Sequence, residues 1–201
     1  MKKLFLMAST LLMLSFLIAD NSITKKERTY AAKLLKETEK GVKEQVKGLT
    51  EAQLKFKAGP DRWSIEECVK HIAKSEEMLW QMTDSIIKAA ANPDKRSEIK
   101  LTDEQLIQKI EDRSMKVKTM EKLKPENIPF KDTEEALESF EKNREKLIEY
   151  VKSTNDDLRN HITTMPFGMV DSYQLILFTA AHSNRHTQQI IEVKADPNYP
   201  K

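Results

Sequence analysis

The sequence predicts an all-α protein: a four-helix bundle with long connections and one extra short helical segment. Three observations carry this. Apolar residues recur at three- and four-residue spacing through several long stretches, the period of a helix with one buried face. Helix-start signals, in which Ser, Thr or Asp is followed three residues later by Glu or Gln, stand in front of those stretches. The composition is helical, with 33% charged residues, 6% aromatics and 4 glycines. At 201 residues the chain is one domain plus a leader, long enough to bury a real core.

The elements follow in order. Thr24-Lys25-Lys26-Glu27 is a capping box, and Tyr30, Leu34, Thr38, Val42, Val46 and Leu49 then recur at helical spacing, with Gly48 as the stop. A connector from Thr50 to Trp63 holds one short helical turn, opened by Thr50-Glu51-Ala52-Gln53, and breaks at Gly59-Pro60-Asp61. Ser64-Ile65-Glu66-Glu67 opens a second helix to about Ala91, with Trp63 placed to staple its first turn. Its core stripe is Ile65, Cys68, Val69, Ile72, Leu79, Met82 and Ile86, and Asn92-Pro93-Asp94 ends it. A third capping box at Thr102-Asp103-Glu104-Gln105 begins a weaker pattern, Leu106 through Val117 to Leu123. Asp132 caps a helix carried by Ala136, Leu137, Phe140, Arg144, Leu147, Ile148 and Val151 to about Ser153. Leu158 to Val170, with His161, Pro166 and Gly168, reads as a loop. Asp171-Ser172-Tyr173-Gln174 caps the last helix, packed through Tyr173, Ile176, Leu177, Ala180, Ala181 and Ile190. No convincing strand, repeat, glycine-rich phosphate loop or Cys-x-x-Cys pair is present.

Residues 1–19 read as a secretory signal peptide: Lys2 and Lys3 form a positive start, and Leu4 to Ala19 is almost wholly apolar. Leu17 is large for a position near the cleavage site, so an uncleaved membrane anchor over residues 4–19 is the alternative. The expected location is therefore exported, periplasmic or extracellular, with membrane contact only through an uncleaved leader. Removing Lys2 and Lys3 takes the formal net charge of +2 to zero, which gives the mature chain no electrostatic footprint for nucleic acid. The single cysteine, Cys68, excludes an intramolecular disulfide and reads as a small buried apolar residue. Pairing of two copies through outer bundle faces is compatible with the pattern.

His182 and His186 lie four apart on the last helix, so one face presents both imidazoles, one turn above the other. Such a pair can hold one divalent metal, as in the metalloprotease helix motif. That motif has Glu after its first His; here the residue is Ser183, and the usual general base is missing. A catalytic metal centre needs about three protein ligands and an open position. The third must come from elsewhere: His71, mid-helix at the edge of a core stripe, ahead of His161 in the loop. Glu76 and Glu77 are candidate carboxylates, read as a solvated face, and Cys68 is a candidate thiol. Glu67, Glu76, Asn184 and Gln189 are candidates to receive the second ring nitrogen of a ligating imidazole.

Three segments resemble the DinB-like family, a group of metal-binding helical bundles. Asp61-Arg62-Trp63-Ser64-Ile65-Glu66-Glu67-Cys68-Val69-Lys70-His71 is similar to that family's opening of the second helix. Phe167-Gly168 with Asp171-Ser172-Tyr173-Gln174 resembles the approach to its last helix, and Ala181-His182 through Arg185-His186 and Gln188-Gln189-Ile190 its closing motif. The resemblance, from about Thr24 to Pro200, implies a bundle over residues 20–201 in which His71, His182 and His186 bind a divalent metal. Zinc or nickel is expected first, with iron or copper also suited to imidazole. It further implies a thiol-dependent S-transferase or isomerase of the bacillithiol or mycothiol type, or a member with no assigned activity; independently, a bound metal that lowers the pKa of water toward about 7 suits a hydrolase, on an unknown small-molecule substrate. The alternative is a non-enzymatic metal-binding or stress protein of the cell envelope. An exported chain is remote from cytosolic thiols, which weighs against the transferase.

Overall fold

The structure, a computed structural model, describes residues 23–114 and 117–201. The signal peptide expected over residues 1–19, and its alternative, an uncleaved anchor over residues 4–19, lie outside the described residues. Among the described residues, no helix is long and apolar enough to cross a membrane.

The described residues contain six α-helices: α1 (Lys25–Val46), α2 (Glu51–Lys55), α3 (Ile65–Lys88), α4 (Asp103–Glu111), α5 (Thr133–Ser153) and α6 (Ser172–Lys194). The long ones, α1, α3, α5 and α6, form the bundle. α1 and α3 each pack against both α5 and α6, so α1 and α3 stand on one diagonal. The reciprocal capping boxes form at Thr24, Ser64 and Thr102, and also at Thr50 in front of α2. Asp132 and Asp171 cap α5 and α6 by accepting from the backbone N–H three residues on. Each cap satisfies a donor that the first helical turn leaves open. After α1 the chain turns at Gly48, whose φ of 73° is the left-handed conformation a helix stop favours.

The core is built from helical stripes, and two of them differ from the sequence pattern. On α1 the buried line runs through Ala31, Leu35, Thr38, Val42 and Val46, while Tyr30 is 41% exposed. Ala31 and Ala32 take the buried positions beside Tyr30, which leaves Tyr30 at the edge of the packed face. The last helix is buried almost all round because α4 covers a further side of it, with Leu106 and Leu175 in one apolar cluster.

Three expectations are corrected. The pattern from Leu106 to Leu123 is not one helix: α4 ends at Glu111, and Val117 is 76% exposed. Asp112 ends it by taking the Ser114 N–H (2.8 Å) and hydroxyl (2.9 Å) in a local turn that competes with helix. Short 3₁₀ turns at Glu121–Leu123 and Pro125–Asn127 follow. The stretch read as loop contains an antiparallel hairpin, β1 (Ile162–Met165) with β2 (Gly168–Asp171), Ile162 opposite Asp171 and Met165 opposite Gly168. Ile-Thr-Thr is β-favouring sequence, and Gly168, at φ 128°, closes the two-residue Pro166-Phe167 connection. Finally, α3 stops at Lys88 rather than near Ala91 because Asn92 is bound to the hairpin. Its N–H donates to the Asn160 carbonyl (2.8 Å), and its side chain exchanges bonds with Ile162 (2.7 and 3.0 Å).

Two arginines tie the bundle. Arg159 donates to Glu27, Asp103 and Asp171 at 2.6–3.0 Å and lies 4.1 Å over the Tyr173 ring, fixing the start of α6. Arg144, fully buried on α5, sits where all four long helices meet. It donates to both Glu76 oxygens on α3 (2.5 Å each), to the Leu35 carbonyl (2.8 Å) and Thr38 hydroxyl (2.6 Å) on α1, and to Ser183 on α6 (2.7 Å). Glu76, read from sequence as a solvated face, is 1% exposed. Burial pushes its carboxyl up and the Arg144 guanidinium opposes that.

Candidate metal centre

Facing turns of α3 and α6 bring three imidazoles together. His71 is on the second turn of α3; His182 and His186 are on successive turns of α6. The His182 Nε2 lies 3.3 Å from His71 Nε2 and 3.2 Å from His186 Nε2. His71 and His186 are buried, and His182 is the least covered of the three. Among the described residues this is the one group of three or more metal-ligating side chains, with all its ligand atoms within 4.8 Å of one another.

Tautomers follow from the outer ring nitrogens. His71 Nδ1 is 2.8 Å from the Leu123 carbonyl, which can only accept, so the proton is on Nδ1 and Nε2 presents a lone pair. His186 Nδ1 is 2.9 Å from Gln189 Oε1, which gives the same tautomer with the amide oriented that way. Both lone pairs point toward His182 Nε2. A proton there can satisfy one of them; Ser75, whose hydroxyl is 3.4 Å from His71 Nε2, offers at best a long bond to another. If His182 also holds its proton on Nδ1, three lone pairs converge. A cation resolves that arrangement. The spacing suits one: metal–nitrogen bonds of about 2.0–2.1 Å in tetrahedral geometry place nitrogens about 3.3 Å apart.

Electrostatics agree. Burial pushes His71 down to about 4, the Leu123 bond opposing it, and takes His182 and His186 well below the ordinary imidazole value, with the neighbouring imidazoles adding to it. All three are neutral near pH 7 and ready to ligate.

The surroundings are aromatic and basic. Trp63 stacks on His186 (ring centroids 5.8 Å, interplanar angle 18°) and leans on His71 (4.8 Å). Phe178 covers His182 (5.7 Å), and Phe167, delivered by the hairpin turn, stacks on Phe178 (5.6 Å). A cleft of about 200 Å³ reaches His186 and Gln189 between Trp63, Arg62, Arg113 and Arg185. A larger groove, about 740 Å³ between α1 and the start of α5, includes none of the three imidazoles.

The three histidines implied by the family resemblance thus come together, and the other candidates do not join them. His161 is a buried loop hydrogen bonder, its Nδ1 3.0 Å from the Ile86 carbonyl. Cys68 lies in an apolar cluster with Ile65, Val69 and Phe140, and burial holds its thiol far above the ordinary range. Glu76 is held by Arg144, and Glu77 pairs with Lys74 at 2.7 Å. Of the candidates for second ring nitrogens, Gln189 serves; Glu67 is spent on its capping box and Asn184 on Glu111 (2.8 Å). Leu123 went unseen, because a backbone carbonyl carries no residue-type signal. Trp63 faces the centre, a role beyond the helix staple its position suggested.

The sequence model of the DinB superfamily matches residues 34–190. A search of curated proteins found no match. Among solved structures, the chain is similar to YfiT from Bacillus subtilis, described as a probable metal-dependent hydrolase with an unusual four-helix bundle topology. The TM-score is 0.60 at 15% identity, over 89% of this chain and 92% of that one, a likeness of fold. The match across most of the sequence and the bundle that carries its three histidines place this chain in the DinB superfamily.

Proposed function

We propose that this protein is a metal-dependent hydrolase that acts outside the cytoplasm, with zinc or nickel held by His71, His182 and His186. The observation that carries this is the convergence of the His71 and His186 Nε2 atoms on His182 Nε2, at 3.3 and 3.2 Å, with the lone pairs of His71 and His186 directed inward. Three protein ligands leave a position for water or substrate, as catalytic zinc sites do. A divalent ion there supplies Lewis-acid polarisation and lowers the pKa of water toward about 7.

The chain's own residues do the rest. The Leu123 carbonyl and Gln189 fix two imidazoles in the ligating tautomer and orientation. Trp63 and Phe178 wall the centre on two sides. The cleft beside His186 admits a small molecule, which favours an enzyme over a sealed storage site. Among the described residues no carboxylate joins the imidazoles, so a general base is not built into this cluster. The sequence of residues 1–19 supports export, and export favours water over a cytosolic thiol as the acceptor.

The test is turnover by zinc- and nickel-loaded protein on a panel of amides, esters, thioesters and lactones, with and without an added small thiol. Hydrolysis that is lost in His182→Ala, and that needs no thiol, supports the proposal. Metal bound stoichiometrically with no turnover on any class would leave the non-enzymatic envelope protein as the better reading.

A further inference from the structure

The mouth of the cleft carries a charge pattern that holding a metal does not require. Arg62, Arg113 and Arg185 line it beside His186 and Gln189. They come from three separate places: the residue before Trp63, the turn after α4, and the α6 position next to a ligand. Three carboxylates accompany them: Asp61 in the lining, Glu192 on α6, and Asp112 beside Arg185. Within the lining itself three guanidiniums face one carboxylate, Asp61, while Glu192 and Asp112 balance them from outside the cleft.

Glu192 shows how two of these guanidiniums already hold an oxyanion of the chain itself. Its carboxylate takes Arg113 Nε at 2.6 Å and Nη2 at 2.8 Å in the two-pronged geometry guanidinium favours, and Arg62 Nη2 at 3.5 Å, the limit of a hydrogen bond. The Nη1 edges of Arg113 and Arg62 have no hydrogen-bond partner among the described residues. Arg185 is anchored by its Nη1 to the Ile110 carbonyl (3.1 Å) and to that of Asp112. Guanidinium groups grouped this way suit planar or tetrahedral oxyanions. At about 200 Å³ the cleft is smaller than ordinary ligand pockets of roughly 300–1,000 Å³, so the ligand is small.

We propose that the substrate is a small molecule bearing a carboxylate or phosphate, held by Arg62, Arg113 and Arg185 at the mouth while its reacting group faces the imidazoles. In calling the ligand a substrate, the inference rests on the hydrolase reading; the anion site itself does not.

Trp63 is the reporter, since it lines the cleft and the only other tryptophan, Trp80, packs on Tyr150 instead. In a zinc-loaded Trp80→Phe protein, Trp63 emission is titrated with succinate, with methyl phosphate, and with succinamide as the neutral control. The expected result is a saturable change with an oxyanion and none with succinamide; which oxyanion binds more tightly identifies the group. Arg62→Gln and Arg113→Gln weaken binding by about tenfold or more, the loss of one charged hydrogen bond, and Glu192→Gln strengthens it by removing the internal competitor. Circular dichroism and zinc content confirm that each variant is folded and loaded.

The same titration on metal-free His182→Ala separates the two proposals. Oxyanion binding that survives there shows that the arginine mouth works without the metal, and it upholds the anion site even where the zinc-loaded parent hydrolyses nothing. Two results overturn the inference: no saturable binding of either oxyanion, or binding unchanged in both arginine variants and lost with the metal.

Discussion

Replacing Arg144 by Met removes the charge at the middle of the bundle and leaves Glu76 behind. The guanidinium makes five hydrogen bonds to groups on α1, α3 and α6 and is fully buried, as its partner nearly is. Without it, the Glu76 carboxylate must stay ionised in an apolar surround or take up a proton. Protonating a carboxyl of ordinary pKa 4.5 near pH 7 costs about 3 kcal/mol, which caps the electrostatic part of the loss. Leaving the Leu35 carbonyl and the two hydroxyls without their donor adds about 1 kcal/mol each, and the apolar Met side chain recovers some of that. The expected loss is about 3–5 kcal/mol, the range for breaking one side of a buried ion pair.

The measurement is urea unfolding of Arg144→Met followed by helical circular dichroism, at about pH 7 and about pH 5. In the variant the folded-state pKa of Glu76 lies above its unfolded value. Stability from that group is therefore present below the unfolded pKa and lost as pH rises, so the deficit against the parent is larger at the higher pH. Adding Glu76→Leu to Arg144→Met should recover most of the loss, because the stranded acid is gone. A deficit under about 1 kcal/mol, or one equal at both pH values, would refute the view that a buried ion pair holds the bundle centre.

Other outcomes follow from the same structure. Gln189→Ala should weaken zinc affinity by about 10–100-fold without unfolding the protein, read by competition with a chelating dye, since it removes the acceptor that orients His186. The metal-free protein should keep constant stability above about pH 6.5 and lose it as pH falls toward 4. His71 stays neutral in the fold down to about 4 and takes a proton earlier in the unfolded chain, which amounts to about 3 kcal/mol for this residue alone; pH-dependent unfolding checks it. Gly48→Ala should destabilise by about 1 kcal/mol, read as a lower melting temperature, because φ of 73° strains any residue with a Cβ although nothing lies within 4 Å.

Much of this fold is legible in the sequence, for local reasons. Helix starts at Lys25, Ile65, Asp103, Thr133 and Ser172 are set by the residue before each and its partner three positions on, a signal confined to four residues. What escaped is set by distant partners. Asn92 stops α3 by bonding to residues 160 and 162, which nothing near Asn92 announces. The hairpin at Ile162–Asp171 is short, and its β-favouring residues are interrupted by Pro166 and Gly168, which read as loop. The candidate centre divides in the same way. The i, i+4 spacing of His182 and His186 is visible in one helix, but that His71 meets them depends on how α3 packs on α6. Arg144 fell on a core stripe at helical spacing, yet that Glu76 was buried with it, rather than solvated, showed only once the long helices met.

The most direct test of the three-imidazole centre is metal content. Residues 20–201 are prepared without a histidine-rich tag, reloaded with zinc or nickel, and assayed by elemental analysis beside His71→Ala, His182→Ala and His186→Ala. The structure predicts about one metal per chain in the parent, bound through three protein ligands, and its loss in every variant while helical content is retained. A folded parent that takes up neither metal, or that keeps its full metal in any one of the three variants, would contradict the centre.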